Sequence, residues 1–207
     1  MDKIVASIIT IGDELLIGQV VDTNSAWMAQ ELNKIGVWVR HRVAVGDVRE
    51  EIWNALDEES ERSEIILITG GLGPTADDIT KPLLAEYFGG KLVVDEGALA
   101  NVKYIFSKVL NRPMIESNLL QAEVPDTCTV IQNRRGTAPG MWFEKNGKIF
   151  VSMPGVPHEM KGMMTDFVLP ELQRYFVLPF IAHKTLLTAG IGESFLAEHI
   201  NEFETAL

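Results

Sequence analysis

Ile65-Ile-Leu-Ile68 is an uninterrupted apolar run, and Thr69 leads from it into Gly70-Gly-Leu-Gly73. A short apolar run rich in β-branched residues is the pattern of a strand buried on both faces, as in a parallel sheet. Such a sheet needs helices above and below it, which restricts the rest of the chain. The glycines allow a sharp turn and the close approach of another molecule. Thr75-Ala-Asp-Asp78 fits a capping box, so a helix is expected to start here. A glycine loop between a buried strand and a helix N-terminus gathers free N–H groups and a dipole that favour phosphate. Asp77 and Asp78 stand at the same place, and carboxylates beside a phosphate require a cation between them.

Plain structural roles account for the same residues about as well: Thr75 and Asp78 as a helix cap, Gly70 and Gly71 as a turn. No Gly-Lys-Ser/Thr occurs, so the Walker phosphate loop is absent. Gly71-x-Gly73-x-x-Ala76 matches the dinucleotide fingerprint only nominally. Pro74 removes an N–H inside the loop, and the preceding strand is not the first of the chain.

The flanking chain supplies the expected helices and strands. Ile4–Ile11 reads as a second buried strand, followed by a loop with Asp13 and Glu14. Asp22-Thr-Asn-Ser25 opens a helix that Gly36 stops. Val37–Val45 is a strand ending at Gly46-Asp47. Arg49 to about Arg62 is an acidic helix with Ile52, Ala55 and Leu56 inward and Glu50, Glu51, Asp57, Glu58, Glu59 and Glu61 on a solvated face. The order β-α-β-α-β-loop-α implies a mainly parallel sheet between helices. After the glycine loop a helix is expected from about residues 78–81 to Phe88, then helices over 95–110 and after Pro113, in which Asn118 and Gln121 read as exposed polar groups. Thr127–Ile131 is a strand. Asn133–Gly140 is a second glycine loop, with cations at Arg134 and Arg135. Lys145-Asn-Gly147 between apolar runs is a strong hairpin signal, adding antiparallel strands to the sheet. Met153-Pro-Gly-Val-Pro157 is a stiff loop entering a helix whose methionines read as core filling. His183–Ala189 reads as a strand and Gly192-Glu-Ser194 as a helix start. Two units are expected: residues 1–177, and 178–207 as the start of an incomplete βα module.

Composition excludes several function classes. Asp plus Glu total 29 against 18 Lys plus Arg, a net charge of −11, and no basic run offsets it. Nucleic acid is therefore not an expected partner. Cys128 is the only cysteine, so the chain forms no internal disulfide. No apolar stretch approaches the roughly 20 residues of a membrane helix, and no signal-peptide pattern opens the chain. A cytoplasmic protein with no membrane partner is the expectation.

Asp13, Asp47 and Asp77/Asp78 each follow a strand of one sheet, on the edge that carries the glycine loops. In open α/β sheets ligands bind at that edge. Together these features suggest a divalent metal and a phosphorylated, nucleotide-like ligand.

Six ordered motifs then carry a resemblance: Gly12-Asp-Glu-Leu-Leu-x-Gly18, Asp22-Thr-Asn24, Thr69-Gly-Gly-Leu-Gly-Pro-Thr-x-Asp-Asp-x-Thr80, Asn118-x-x-Gln-Ala122, Asn133-x-x-Gly-Thr-Ala-Pro-Gly140 and Met153-Pro-Gly-Val-Pro-x-Glu-Met160. They resemble the N-terminal domain of the competence/damage-inducible protein CinA family, of the molybdopterin-binding superfamily, over about residues 3–175. The resemblance implies a three-layer α/β/α sandwich with a mostly parallel sheet and an antiparallel hairpin. It also implies a metal-dependent ADP-ribose pyrophosphatase yielding AMP and ribose 5-phosphate, and a homo-oligomer, a dimer or trimer. On that reading Asp78, with Asp77, Asp13 or Asp47, holds Co²⁺ or Mg²⁺. Gly70, Gly71, Gly73 and Thr75 hold a phosphate. Asn24, Asn118, Gly136, Thr137, Pro154 and Gly155 contact the remainder of the substrate, and Glu14 or Glu159 serves as general base. The alternatives are a molybdopterin-binding or adenylyltransferase-type protein, and a non-catalytic nucleotide-binding module of a longer CinA-like protein. The adenylyltransferases usually carry Thr or Ser where this chain has Leu72, and they lack the Asn133–Gly140 motif in this form.

Overall fold

The computed structural model describes residues 3–75, 78–179, 185 and 187–205. β1 (Val5–Ile11), β2 (Trp38–Val45) and β3 (Ile65–Thr69) form the parallel part of the main sheet, and β8 (Lys148–Met153) pairs parallel with β3. β7 (Gly140–Lys145) and β6 (Thr129–Ile131) continue it antiparallel, giving the order β2-β1-β3-β8-β7-β6. Every residue of β3 is buried, as the uninterrupted apolar run requires. The β7–β8 turn is two residues, Asn146 and Gly147, both at positive φ. That backbone twist matches the twist of the strands and suits Asn-Gly.

Strand alternation sorts the core into two layers. Ala6 and Ile8 of β1 pack with Met28 and Leu32 of α2 (Thr23–Lys34), Met160 and Met163 of α7 (Pro157–Met163) and Leu172 of α8 (Leu169–Tyr175). Ile9 and Ile11 point the other way, against Ile52 and Leu56 of α3 (Arg49–Arg62) and Leu83 and Leu84 of α4 (Thr80–Tyr87). The fold is the expected three-layer α/β/α arrangement. The methionines of α7 are core filling, as their spacing suggested.

Three expectations change, and one small sheet is added. The Thr75–Asp78 capping box does not form: α4 starts at Thr80 with no side-chain cap. β4 (Leu92–Val94) pairs antiparallel with β5 (Glu123–Pro125) in a separate two-stranded sheet. The helix expected over 95–110 is α5 (Glu96–Tyr104) continued by a wider turn, Ile105–Val109, and the helix after Pro113 shrinks to α6 (Glu116–Leu119). Of the strand expected over 183–189, His183, Lys184 and Leu186 lie outside the described residues, and Thr185 and residues 187–189 are not in a strand. The short helix α1 (Asp13–Leu16) and the terminal α9 (Glu193–Thr205) complete the elements.

Candidate functional site

β1, β3 and β8 are parallel neighbours, so their C-terminal ends meet at one edge. The three loops that leave them are laced together. Gly70 N–H donates to Met153 O at 3.2 Å, and Thr69 Oγ1 donates to Pro154 O at 2.9 Å. Asn24, in the first turn of α2, donates from Nδ2 to Gly155 O at 2.7 Å. Gly70 has φ 117°, and a Cβ there would fall on the Ile11 carbonyl oxygen. The loops enclose a cavity of about 510 Å³. Glu14, Asn24, Asp47, Gly70, Gly71, Gly73, Asp78, Thr137, Pro154, Gly155 and Glu159 all line it. All eleven came from the sequence as ligand-side, metal or catalytic candidates on separate loops; Asp78 was assigned to two of those roles.

The glycine loop differs from its expected form. The Asp78 carboxylate accepts Gly73 N–H at 2.8 Å and Thr75 N–H at 2.9 Å, and also the Thr75 hydroxyl. These loop donors, expected to cradle a phosphate, therefore hold an internal carboxylate. Thr75 is outside the cavity wall, and Asp77 lies outside the described residues.

Asp13 and Asp47 face each other across the same edge. Asp13 N–H donates to Asp47 Oδ2 and Asp47 N–H to Asp13 Oδ1, both at 3.2 Å. Only Asp47 of this pair lines the cavity. Asp78 is engaged with its own loop, and among the described residues no three His, Cys, Asp or Glu side chains are grouped as a metal centre needs. Asn118 is also outside the wall; its Oδ1 accepts Ile115 N–H at 3.1 Å.

The second glycine loop is organised by Asn133, which is buried. Its Nδ2 donates to Ala138 O at 2.9 Å and to Glu159 Oε2 at 2.6 Å, while its Oδ1 accepts Arg135 N–H at 3.0 Å. Gly136 backs directly onto the Glu159 carboxylate, where any Cβ would collide. Glu159 also borders a smaller cavity of about 240 Å³ with Arg134 and Arg135. Burial pushes the Glu159 carboxyl up, against the opposing effects of the Asn133 hydrogen bond and His158.

A carboxyl with a raised folded pKa favours the fold when protonated. Its contribution is present below the ordinary carboxylate range and lost as pH rises through the raised value. Glu159→Gln keeps an acceptor for Asn133 and removes the charge. Chemical unfolding is expected to find this variant more stable than the parent at neutral pH, with the difference vanishing as pH falls below the carboxylate range. A variant no more stable at neutral pH would contradict the assigned cost of burying this charge.

Asp22 and Gln121 are among the wall residues that sequence reasoning missed. Asp22 reads as a helix cap, which it is: Oδ1 accepts Ser25 N–H at 2.9 Å. It also lines the cavity. Gln121 reads as exposed but is buried in the wall; its only signal was its place in the Asn118-x-x-Gln-Ala motif.

A family model described as "Probable molybdopterin binding domain" matches residues 7–174. A CinA-like protein of Flavobacterium psychrophilum is 46% identical over 202 residues, covering 98% of this chain and 48% of that protein. A CinA-like protein of Cytophaga hutchinsonii is 48% identical over 204 residues, covering 99% of this chain and 49% of that protein. The chain thus spans about half the length of these relatives. Among solved structures, a CinA protein of unknown function from Thermoplasma acidophilum superposes with a TM-score of 0.72 at 36% identity, covering 80% of this chain and 96% of the other. The tungsten cofactor synthesizing protein MoaB of Pyrococcus furiosus gives a TM-score of 0.55 at 17% identity, covering 84% of this chain and 98% of the other, a likeness of fold alone.

These findings correct the expected ADP-ribose pyrophosphatase. The relatives are named CinA-like, and the matching family is described as a probable molybdopterin binding domain; neither is named for hydrolysis of ADP-ribose.

Proposed function

We propose, since this chain belongs to the CinA-like proteins built on a molybdopterin binding domain, that its cavity binds a phosphorylated heterocycle of the molybdopterin type, a pterin bearing a phosphate. The observation that carries this reading is the cavity at the ends of β1, β3 and β8. Its volume of about 510 Å³ falls within the roughly 300–1,000 Å³ of small-molecule sites. Glycine turns bring the main chain to the wall without intervening Cβ atoms, and polar and acidic side chains stand among the apolar ones of the lining.

The charge of the wall constrains how such a ligand binds. Glu14, Asp22, Asp47, Asp78 and Glu159 line the cavity, and no Lys or Arg does among the described residues. A phosphate entering such a wall needs a counter-cation. The divalent ion therefore belongs to this reading as a companion of the ligand. The described side chains form no complete centre, so ligand oxygens would have to supplement Asp47 and its neighbour Asp13. The ion would supply charge neutralisation for the phosphate.

Calorimetric titration with a pterin monophosphate, AMP and inorganic phosphate, each with and without Mg²⁺, tests the proposal. Saturable binding of the pterin monophosphate, strengthened by Mg²⁺, is expected. Binding of AMP with no response to the pterin would replace it with a nucleotide-binding module. No binding of either would remove the small-molecule reading.

A further inference from the structure

Gln121 lies in the turn Leu120–Ala122 between α6 and β5 and is only 6% exposed. It lines the cavity, and its Oε1 is buried with no hydrogen-bond partner. Buried side-chain oxygens in native proteins are nearly always paired, so an unpaired one bordering a ligand-sized cavity asks for a donor.

The segment that carries it is pinned by other atoms. Lys81 of α4, itself buried, donates from Nζ to Leu120 O at 3.3 Å and to Gln121 O at 3.1 Å. Both bonds end on main-chain carbonyls, so the turn is fixed without using the Gln121 amide oxygen. α4 follows directly on the glycine loop, and Lys81 therefore ties the two sides of the cavity to each other.

A second wall residue has the same property. Asn24 Nδ2 donates to Gly155 O. A carbonyl only accepts, so this contact orients the amide and leaves Oδ1 as the uncommitted atom. Asn24 Oδ1 is also buried without a partner. Two residues of the wall thus each carry a buried, unpaired amide oxygen, and the wall also carries carboxylates. Such a wall suits a ligand edge that donates, such as the ring N–H and amino group of a cyclic amidine or guanidine.

We infer that Gln121 is a ligand-recognition residue, its side-chain carbonyl accepting a hydrogen bond from the N–H-bearing edge of the bound heterocycle, with Asn24 Oδ1 as a second acceptor in the same cavity. This rests on the reading of the cavity as a site for a phosphorylated heterocycle. Lys81 is a positioning residue for Gln121.

The test pairs affinity with the stability of the ligand-free chain. Gln121→Met keeps length and removes the acceptor. Its Kd for a pterin monophosphate is expected to rise about tenfold or more, the scale of one lost hydrogen bond in a buried site. Its Tm without ligand is expected to equal or exceed that of the parent, because an apolar chain replaces an unpaired buried oxygen. A residue with only a packing or structural role would not separate these two readouts. Unchanged affinity in Gln121→Met, with the parent binding normally, overturns the inference and leaves the cavity reading intact. A marked fall in Tm in both Gln121→Met and Gln121→Leu shows that the amide supports the fold and also overturns it. If the parent itself binds no pterin monophosphate, the cavity reading fails and the inference falls with it.

Discussion

Replacing Gly70 by alanine is expected to destabilise the chain by about 3 kcal/mol, combining a left-handed backbone with severe overpacking. Gly70 sits at φ 117°, and its missing side chain leaves room for the Ile11 carbonyl of the neighbouring strand. The clash is with main chain, so no side-chain rotation relieves it. Relief requires β1 and β3 to part at the edge where the cavity forms. The same variant is therefore expected to lose pterin monophosphate binding. Gly18→Ala is the control, since Gly18 is also at positive φ but meets nothing within 4 Å. It should pay only the backbone cost of about 1–2 kcal/mol. Urea unfolding of the two variants measures the difference, and equal losses would show that the close approach at Gly70 is not what matters.

Glu59→Ala is expected to cost about 3 kcal/mol at neutral pH, the scale of breaking a buried, hydrogen-bonded charge network. Glu59 is only 2% exposed. Its Oε2 accepts from Ser7 Oγ at 2.6 Å and lies 3.0 Å from His41 Nδ1, while Oε1 accepts from Arg62 at 2.8 Å. Ser63 Oγ, 2.8 Å from Ser7 Oγ, extends the network. Burial alone would push the Glu59 carboxyl up; the hydrogen bonds from Ser7, His41 and Arg62 outweigh it and hold the carboxyl below its ordinary value. A lowered folded pKa adds stability that is fully present above the unfolded value and lost as pH falls through the folded one. The gap between the parent and Glu59→Ala should therefore narrow in acid. Urea midpoints at neutral pH and below the carboxylate range test this. A gap independent of pH would mean that packing, and not the charge network, sets the cost.

Glu59 also shows where local pattern reasoning stops. In the run Asp57–Glu61 nothing marks one acid as different from its neighbours, and all read as a solvated face. The helix register places Glu59 against Ser7, whose side chain turns to the α3 side of β1. That partner is 52 residues away in the chain, and no local pattern contains it. Gln121 escaped for the same reason: Lys81, which holds its turn, lies 40 residues away in the chain. Asn118, three positions earlier in the same motif, instead closes its own turn. Asp78 was placed in the right loop, but no helix starts at Thr75 and its carboxylate instead folds back on Gly73 and Thr75. A capping box and a carboxylate folded back on Gly73 and Thr75 need the same residues at the same spacing, and the choice falls to how α4 packs.

The sequence by itself determined the layered α/β/α fold, the hairpin at Asn146-Gly147 and the edge of the sheet that carries the site. Each follows from short-range periodicity or from backbone demands that only certain residues meet. Tertiary structure alone decided which polar groups face the cavity, which are spent on holding loops, and how the carboxylates pair. Those outcomes depend on distances between segments far apart in the chain. A hydrogen bond distinguishes 3 Å from 5 Å, a difference that composition and spacing do not encode.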